Sequence, residues 1–80
     1  MTEASFADQT LGEKRVRISF NPSNDGEVDI LKQIAADFID RCTSLTTENG
    51  ASEKNRCISL AQTHAEIAAM FAVKAATTPK

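Results

Sequence analysis

Eighty residues with a formal charge of −2 at neutral pH make one domain, and surface scaling lets such a chain bury only about 60% of its extended surface alone, so a partner is expected. That charge excludes a broad basic footprint for duplex DNA or RNA, although the groups Lys14, Arg15 and Arg17, then Lys54 and Arg56, then Lys74 and Lys80 suffice for a small anionic ligand. No apolar run approaches the ~20 residues that span a bilayer, no signal-peptide segment opens the chain, and two cysteines define no disulfide framework, which points to a reduced cytosolic setting.

In chain order, Ser5, Phe6, Ala7 and Leu11 predict a short helical turn within Met1 to Gly12, ended by Gly12. Arg15 to Phe20 alternates polar and apolar residues and reads as an extended segment with Val16, Ile18 and Phe20 inward. A lone strand has no sheet to join, so it becomes an arm lying on helices or an edge paired across an oligomer. Asn21 to Gly26 is a turn around Pro22, and either Asn24, with Glu27 three residues on, or Asp25 caps the helix that follows.

That helix runs to about Leu45. Val28, Leu31, Ile34, Ala35, Phe38, Ile39, Cys42 and Leu45 form an apolar arc of about 140°, opposite Asp29, Lys32, Gln33, Asp37 and Asp40. Thr43 to Ala51 loses the pattern and contains Asn49-Gly50, a loop signal. Ser52 caps a second long helix, with Glu53 in its first turn and Thr77-Thr78-Pro79 at its end. Leu60, Ala61, His64, Ala68, Phe71, Ala72 and Ala75 share its broad apolar face. Arg56, Ser59, Thr63, Glu66, Met70 and Lys74 line a neighbouring polar edge. The expected fold is all-α: a compact antiparallel helical hairpin (residues 25–78) with a short N-terminal helix or arm and turn (residues 1–24), assembled as a homo-oligomer.

Metal-ligand spacing is absent, since Cys42 and Cys57 are separated by a loop and His64 has no HxxxH or CxxC partner. Both cysteines read as small buried hydrophobes and His64 as an interface histidine. Cys57 and His64 share a helix face but sit about 10 Å apart along it, too far for a nucleophile and its base. Glu66 lacks a second carboxylate on its helix, Asp25, Asp29, Asp37 and Asp40 look solvent-facing, and no GxxxxGK[ST] or GxGxxG loop occurs. The chain is therefore expected to be neither an enzyme nor a cofactor carrier. Phe20, beside Pro22, suits stacking on a base, or else plugs the hairpin. Arg56 or Lys74 can meet phosphate, and Ser59 and Thr63 offer hydroxyls. Convergent donors of this kind arise when symmetry brings several chains together.

Arg56-(x2)-Ser59-x-Ala61-x-Thr63-(x2)-Glu66-(x3)-Met70-Phe71-Ala72-(x2)-Ala75, preceded by Phe20-Asn21-Pro22 and Gly26-Glu27-Val28, resembles the motif order of small bacteriophage proteins that act as cyclic-nucleotide sponges against CBASS immunity. The resemblance spans residues 18–76. It implies an all-helical homohexamer in the host bacterial cytoplasm that sequesters cyclic dinucleotides, cyclic trinucleotides or both without cleaving them. It also implies that Phe20 replaces a stacking tyrosine in a Tyr-His-Pro-like turn, and that Arg56, Ser59 and Thr63 are polar ligand contacts. Phe71 stands where the family has Trp, Ala65 where it has Leu, and Lys32 is the nearby candidate for a basic residue in the first long helix. The expected ligand-binding set is Phe20, Asn21, Pro22, Lys32, Arg56, Ser59, Thr63 and Lys74. The rival reading is a helical protein–protein interaction module that binds no nucleotide.

Overall fold

The computed structural model describes residues 8–47 and 52–79. They form three helices, α1 (Leu11–Val16), α2 (Gly26–Thr43) and α3 (Glu53–Thr77). Val28 near the start of α2 lies with Val73 near the end of α3, and Ile39 near the end of α2 meets Gln62, so the two long helices run antiparallel as a hairpin.

Each helix starts on a cap written in the sequence. The Thr10 hydroxyl accepts from the Glu13 N–H at 3.1 Å while the Glu13 carboxylate accepts from the Thr10 N–H at 3.0 Å, a reciprocal box that starts the six-residue α1. Asp25 accepts from Glu27 N–H at 2.9 Å and caps α2; Asn24 is left-handed at φ 56° and takes no part as cap. Ser52 accepts from Asn55 N–H at 3.2 Å and caps α3. Helix α2 ends at Thr43, before Leu45, where the Ser44 hydroxyl donates to the Arg41 carbonyl.

Three expectations change at the N-terminal end. Gly12 does not end a helical turn but occupies the first turn of α1, and of the residues predicted to precede it, Met1 to Ala7 lie outside the described set. Arg15 to Phe20 is not extended, since α1 runs to Val16 and Arg17 turns the chain in the left-handed region at φ 55° and ψ 61°. A helix followed by a tight turn imitates strand alternation over six residues, and the Thr10–Glu13 box decides for the helix. Phe20 is 58% exposed and plugs nothing, whereas Val16 is buried and Ile18 packs partly against the core.

The core is the stripe where the three helices meet: Val16, Ala36, Ile39 and Ala69, flanked by Ile18, Ala35 and Ala65. The inward line of α2 is Val28, Lys32, Ala36, Ile39 and Cys42, rotated from the predicted arc, so Lys32 is buried and Ile34, Phe38 and Leu45 are exposed. On α3 the inward residues are Ile58, Gln62 and Ala69, while Leu60, His64, Ala68, Phe71 and Ala75 stay exposed. The cause is geometric. The molecule is 13 Å thick along its shortest axis, about one helix diameter, and a single helical layer buries only the stripes that face its neighbours.

Two polar contacts lock that layer. Gly12 N–H donates to the Asp40 carboxylate at 2.7 Å, so Asp40 is a partly buried tie between α1 and α2 rather than a solvent-facing charge. Gln62 Nε2 donates to the Ile39 carbonyl and to the Thr43 hydroxyl, both at 2.9 Å, placing a satisfied amide inside the hairpin. Cys42 is buried as expected, but Cys57 is exposed, with its sulfur 3.7 Å from the Glu53 carboxylate.

Candidate functional site

The turn that follows α1 builds the most chemically distinctive surface of the molecule. Arg17 caps α1 in a left-handed conformation, Ile18 N–H donates to the Glu13 carbonyl at 3.0 Å, and Phe20 N–H donates to the Arg17 carbonyl at 2.9 Å. This closed turn points the exposed Phe20 ring away from the core with two cations beside it. The Lys32 ammonium lies 5.4 Å from the ring centroid and the Arg17 guanidinium 5.9 Å.

Around that ring opens a cleft of about 610 Å³ between α1 and α3. Lys14, Arg15 and Arg17 supply positive charge from α1 and its cap, Val16 and Ala69 form a buried apolar floor, and Met70, Val73 and Glu66 come from α3. Arg15 and Glu66 approach to 3.8 Å across it, both more than a third exposed, a contact that water weakens and a stronger anion can displace.

Lys32 reaches the cleft from below. Its ammonium donates to the carbonyls of both Arg17 and Phe20, and burial lowers its pKa, with Asp29 opposing and Arg17 reinforcing that shift. A smaller cavity of about 230 Å³ continues from Phe20 and Lys32 past Asn21 and Pro22 to Val28, Val73 and Thr77. The Asn21 amide already donates to the Asp25 carbonyl at 2.8 Å and to the Asp29 carboxylate at 3.0 Å, and its oxygen accepts from Ser23 at 2.8 Å. Asn21 and Pro22 therefore shape the turn that carries Phe20.

The remaining predicted residues lie elsewhere. Arg56, Ser59 and Thr63 are exposed on the first half of α3, and Arg56 is about 21 Å along the helix from Met70 in the cleft. Glu53 holds Arg56 through two hydrogen bonds of 2.9 and 3.1 Å, and that contact keeps the Glu53 carboxyl below its ordinary range and raises the guanidinium pKa. Lys74 is exposed in the last turn of α3. One protomer thus brings Phe20 and Lys32 together, with Asn21 and Pro22 adjoining, and leaves Arg56, Ser59, Thr63 and Lys74 apart. Sequence reasoning grouped Lys14, Arg15 and Arg17 as a basic cluster but assigned them no site. The Thr10–Glu13 capping box is the signal that could have placed them on a helix, although not which neighbour that helix packs against.

The family model for the Acb2/Tad1 hairpin domain matches residues 12–77, which takes in all of α2 and α3 and nearly all of α1. The chain belongs to the Acb2/Tad1 hairpin-domain family. This is the family of anti-CBASS cyclic-nucleotide sponges. Comparison with curated proteins and comparison with solved structures each returned no match. In this Acb2/Tad1 hairpin, no group of three or more His, Cys, Asp or Glu side chains among the described residues is placed to hold a metal ion. Among the same residues, no helix is long and apolar enough to cross a membrane.

Proposed function

We propose that this Acb2/Tad1 hairpin protein captures cyclic dinucleotides, cyclic trinucleotides or both and holds them intact in the host bacterial cytoplasm, starving CBASS effectors of their activating signal. The observation that carries the reading is the exposed Phe20 ring beside the Lys14, Arg15 and Arg17 charges in one cleft, on a hairpin of this family. A cyclic oligonucleotide presents base faces and phosphate diesters at fixed separation. Phe20 offers a stacking surface without base selectivity, and the guanidinium groups offer paired donors to phosphate. The cleft volume falls in the range of small-molecule sites.

The second group of ligand contacts, Arg56, Ser59 and Thr63, with Lys74 beyond it, belongs in this reading to pockets between subunits. A homo-oligomer, a hexamer by family analogy, covers the apolar surface that one helical layer leaves open. Ile34 and Phe38 are 62% and 51% exposed on α2, and with Leu31, Ala35, Ala65, Ala68, Ala69 and Ala72 they line an apolar groove of about 350 Å³. Sequestration needs only equilibrium binding. At a protein concentration well above both the messenger concentration and Kd, most of the messenger is bound and the concentration left for an effector falls in proportion to Kd.

Isothermal titration with cyclic di- and trinucleotides, followed by heat release and chromatography of the ligand, tests this reading. Saturable binding with intact ligand recovered supports a sponge; cleaved ligand means an enzyme. The rival, a protein-interaction module, draws on the same Ile34 and Phe38 surface and predicts no heat with any cyclic nucleotide.

A further inference from the structure

We infer that Lys32 is a positioning residue of the proposed nucleotide site, acting by clamping the Arg17–Phe20 turn and presenting the Phe20 ring rather than by contacting ligand phosphate. The inference rests on the proposed function for its ligand, but the clamp itself is a property of the free protein. Lys32 is 6% exposed, an unusual setting for an ammonium, and burial of that kind persists only where acceptors replace water. Here they are the Arg17 carbonyl at 2.8 Å and the Phe20 carbonyl. Two of the three ammonium donors are therefore engaged with protein backbone.

These acceptors bracket the turn that displays the site. Arg17 holds φ 55° and ψ 61°, a conformation that an L residue adopts at a cost and keeps only where its surroundings fix it. Its carbonyl receives both the Lys32 ammonium and the Phe20 N–H, so one acceptor joins the two ends of the turn. The ammonium also lies 5.4 Å from the Phe20 ring centroid. A phosphate drawing Lys32 outward would have to release both carbonyls and expose the strained Arg17. The exposed Arg17, Arg15 and Lys14 on the open side of the cleft reach an anion at less loss, since Arg15 gives up only its solvent-weakened contact with Glu66.

The experiment is a double-mutant cycle of Lys32→Met and Phe20→Ala, read by titration with a cyclic dinucleotide and by amide hydrogen exchange of Phe20 in the free protein. Methionine keeps most of the buried stem and removes the donors. Lys32→Met is expected to speed Phe20 amide exchange and to weaken binding about tenfold in the parent, but less than about twofold in the Phe20→Ala background. Equal weakening in both backgrounds, with Phe20 exchange unchanged, overturns the inference and makes Lys32 a direct ligand contact. If the parent binds no cyclic nucleotide, the proposed function fails, and the exchange measurement still decides the clamp: faster exchange upholds it and unchanged exchange overturns it. If Lys32→Met does not fold by circular dichroism, Lys32→Gln, which retains a shorter N–H donor, takes its place. Faster Phe20 exchange than in the parent together with weaker affinity then supports the clamp, and parent-like exchange with lost affinity overturns it.

Discussion

Gly12 rests directly on the backbone of Ala36: a Cβ added to Gly12 would lie 2.8 Å from the Ala36 Cα and overlap the Ala36 carbonyl oxygen. Neither obstacle is a side chain that can swing aside. Gly12→Ala must push α1 away from α2 and stretch the 2.7 Å bond from Gly12 N–H to Asp40. The expected loss is about 1–3 kcal/mol, measured as a lower urea midpoint by circular dichroism. An unchanged midpoint would show that α1 does not dock this closely.

That contact also shows what the sequence revealed and what it hid. The two long helices, the caps at Asp25 and Ser52 and the hairpin follow from local signals, because caps and turns act within a few residues. The family resemblance rested on separated motifs and did not depend on side-chain direction. Which face is buried does depend on it. A helix as broadly apolar as α2 offers several stripes, and the choice of Ala36 and Lys32 over Ile34 and Phe38 was made by where α1 docks, which Gly12 decides. The cleft was hidden for the same reason. Lys14, Arg15 and Arg17 converge on Phe20 only after α1 forms and Arg17 turns left-handed.

Burial of Lys32 gives its own contribution to stability an alkaline pH dependence. Burial lowers its pKa in the folded chain below the ordinary lysine value of about 10.4, so between those two values the unfolded chain binds more protons. The Lys32 contribution to stability therefore rises with pH across that window and is flat below it. Urea unfolding of the parent minus that of Lys32→Met, followed from neutral pH to about pH 10.4, is expected to increase toward the alkaline end. A difference that falls with pH would mean that folding stabilises the ammonium instead.

Glu53 occupies Arg56 in the free protein. Its carboxylate holds the guanidinium at 2.9 and 3.1 Å, and both side chains are exposed. If Arg56 meets phosphate, Glu53→Gln removes the competitor and tightens cyclic-nucleotide binding a few-fold, a small change because exposed pairs are weak. Arg56→Ala should weaken binding by more. Titration of both variants checks the order, and equal affinities for parent, Glu53→Gln and Arg56→Ala would remove Arg56 from the site.

The open apolar surface predicts a separation of assembly from folding. Phe38 is 51% exposed and lines the groove between α2 and α3, so Phe38→Asp costs the hairpin little but places a charge in any covered interface. Sedimentation of this variant should show monomer with helical circular dichroism retained, and binding that needs Arg56, Ser59 and Thr63 from several chains should disappear with the assembly. A variant that sediments like the parent would place the interface elsewhere.

The most direct test of the central claim is titration of the unmodified protein and of Phe20→Ala with cyclic di- and trinucleotides, with chromatography of the ligand afterwards. A sponge gives saturable binding of at least one of these ligands, its recovery intact, and a loss of about 1–3 kcal/mol in Phe20→Ala where a base stacks on the ring. No saturable binding of any cyclic nucleotide, or ligand recovered cleaved, would contradict it.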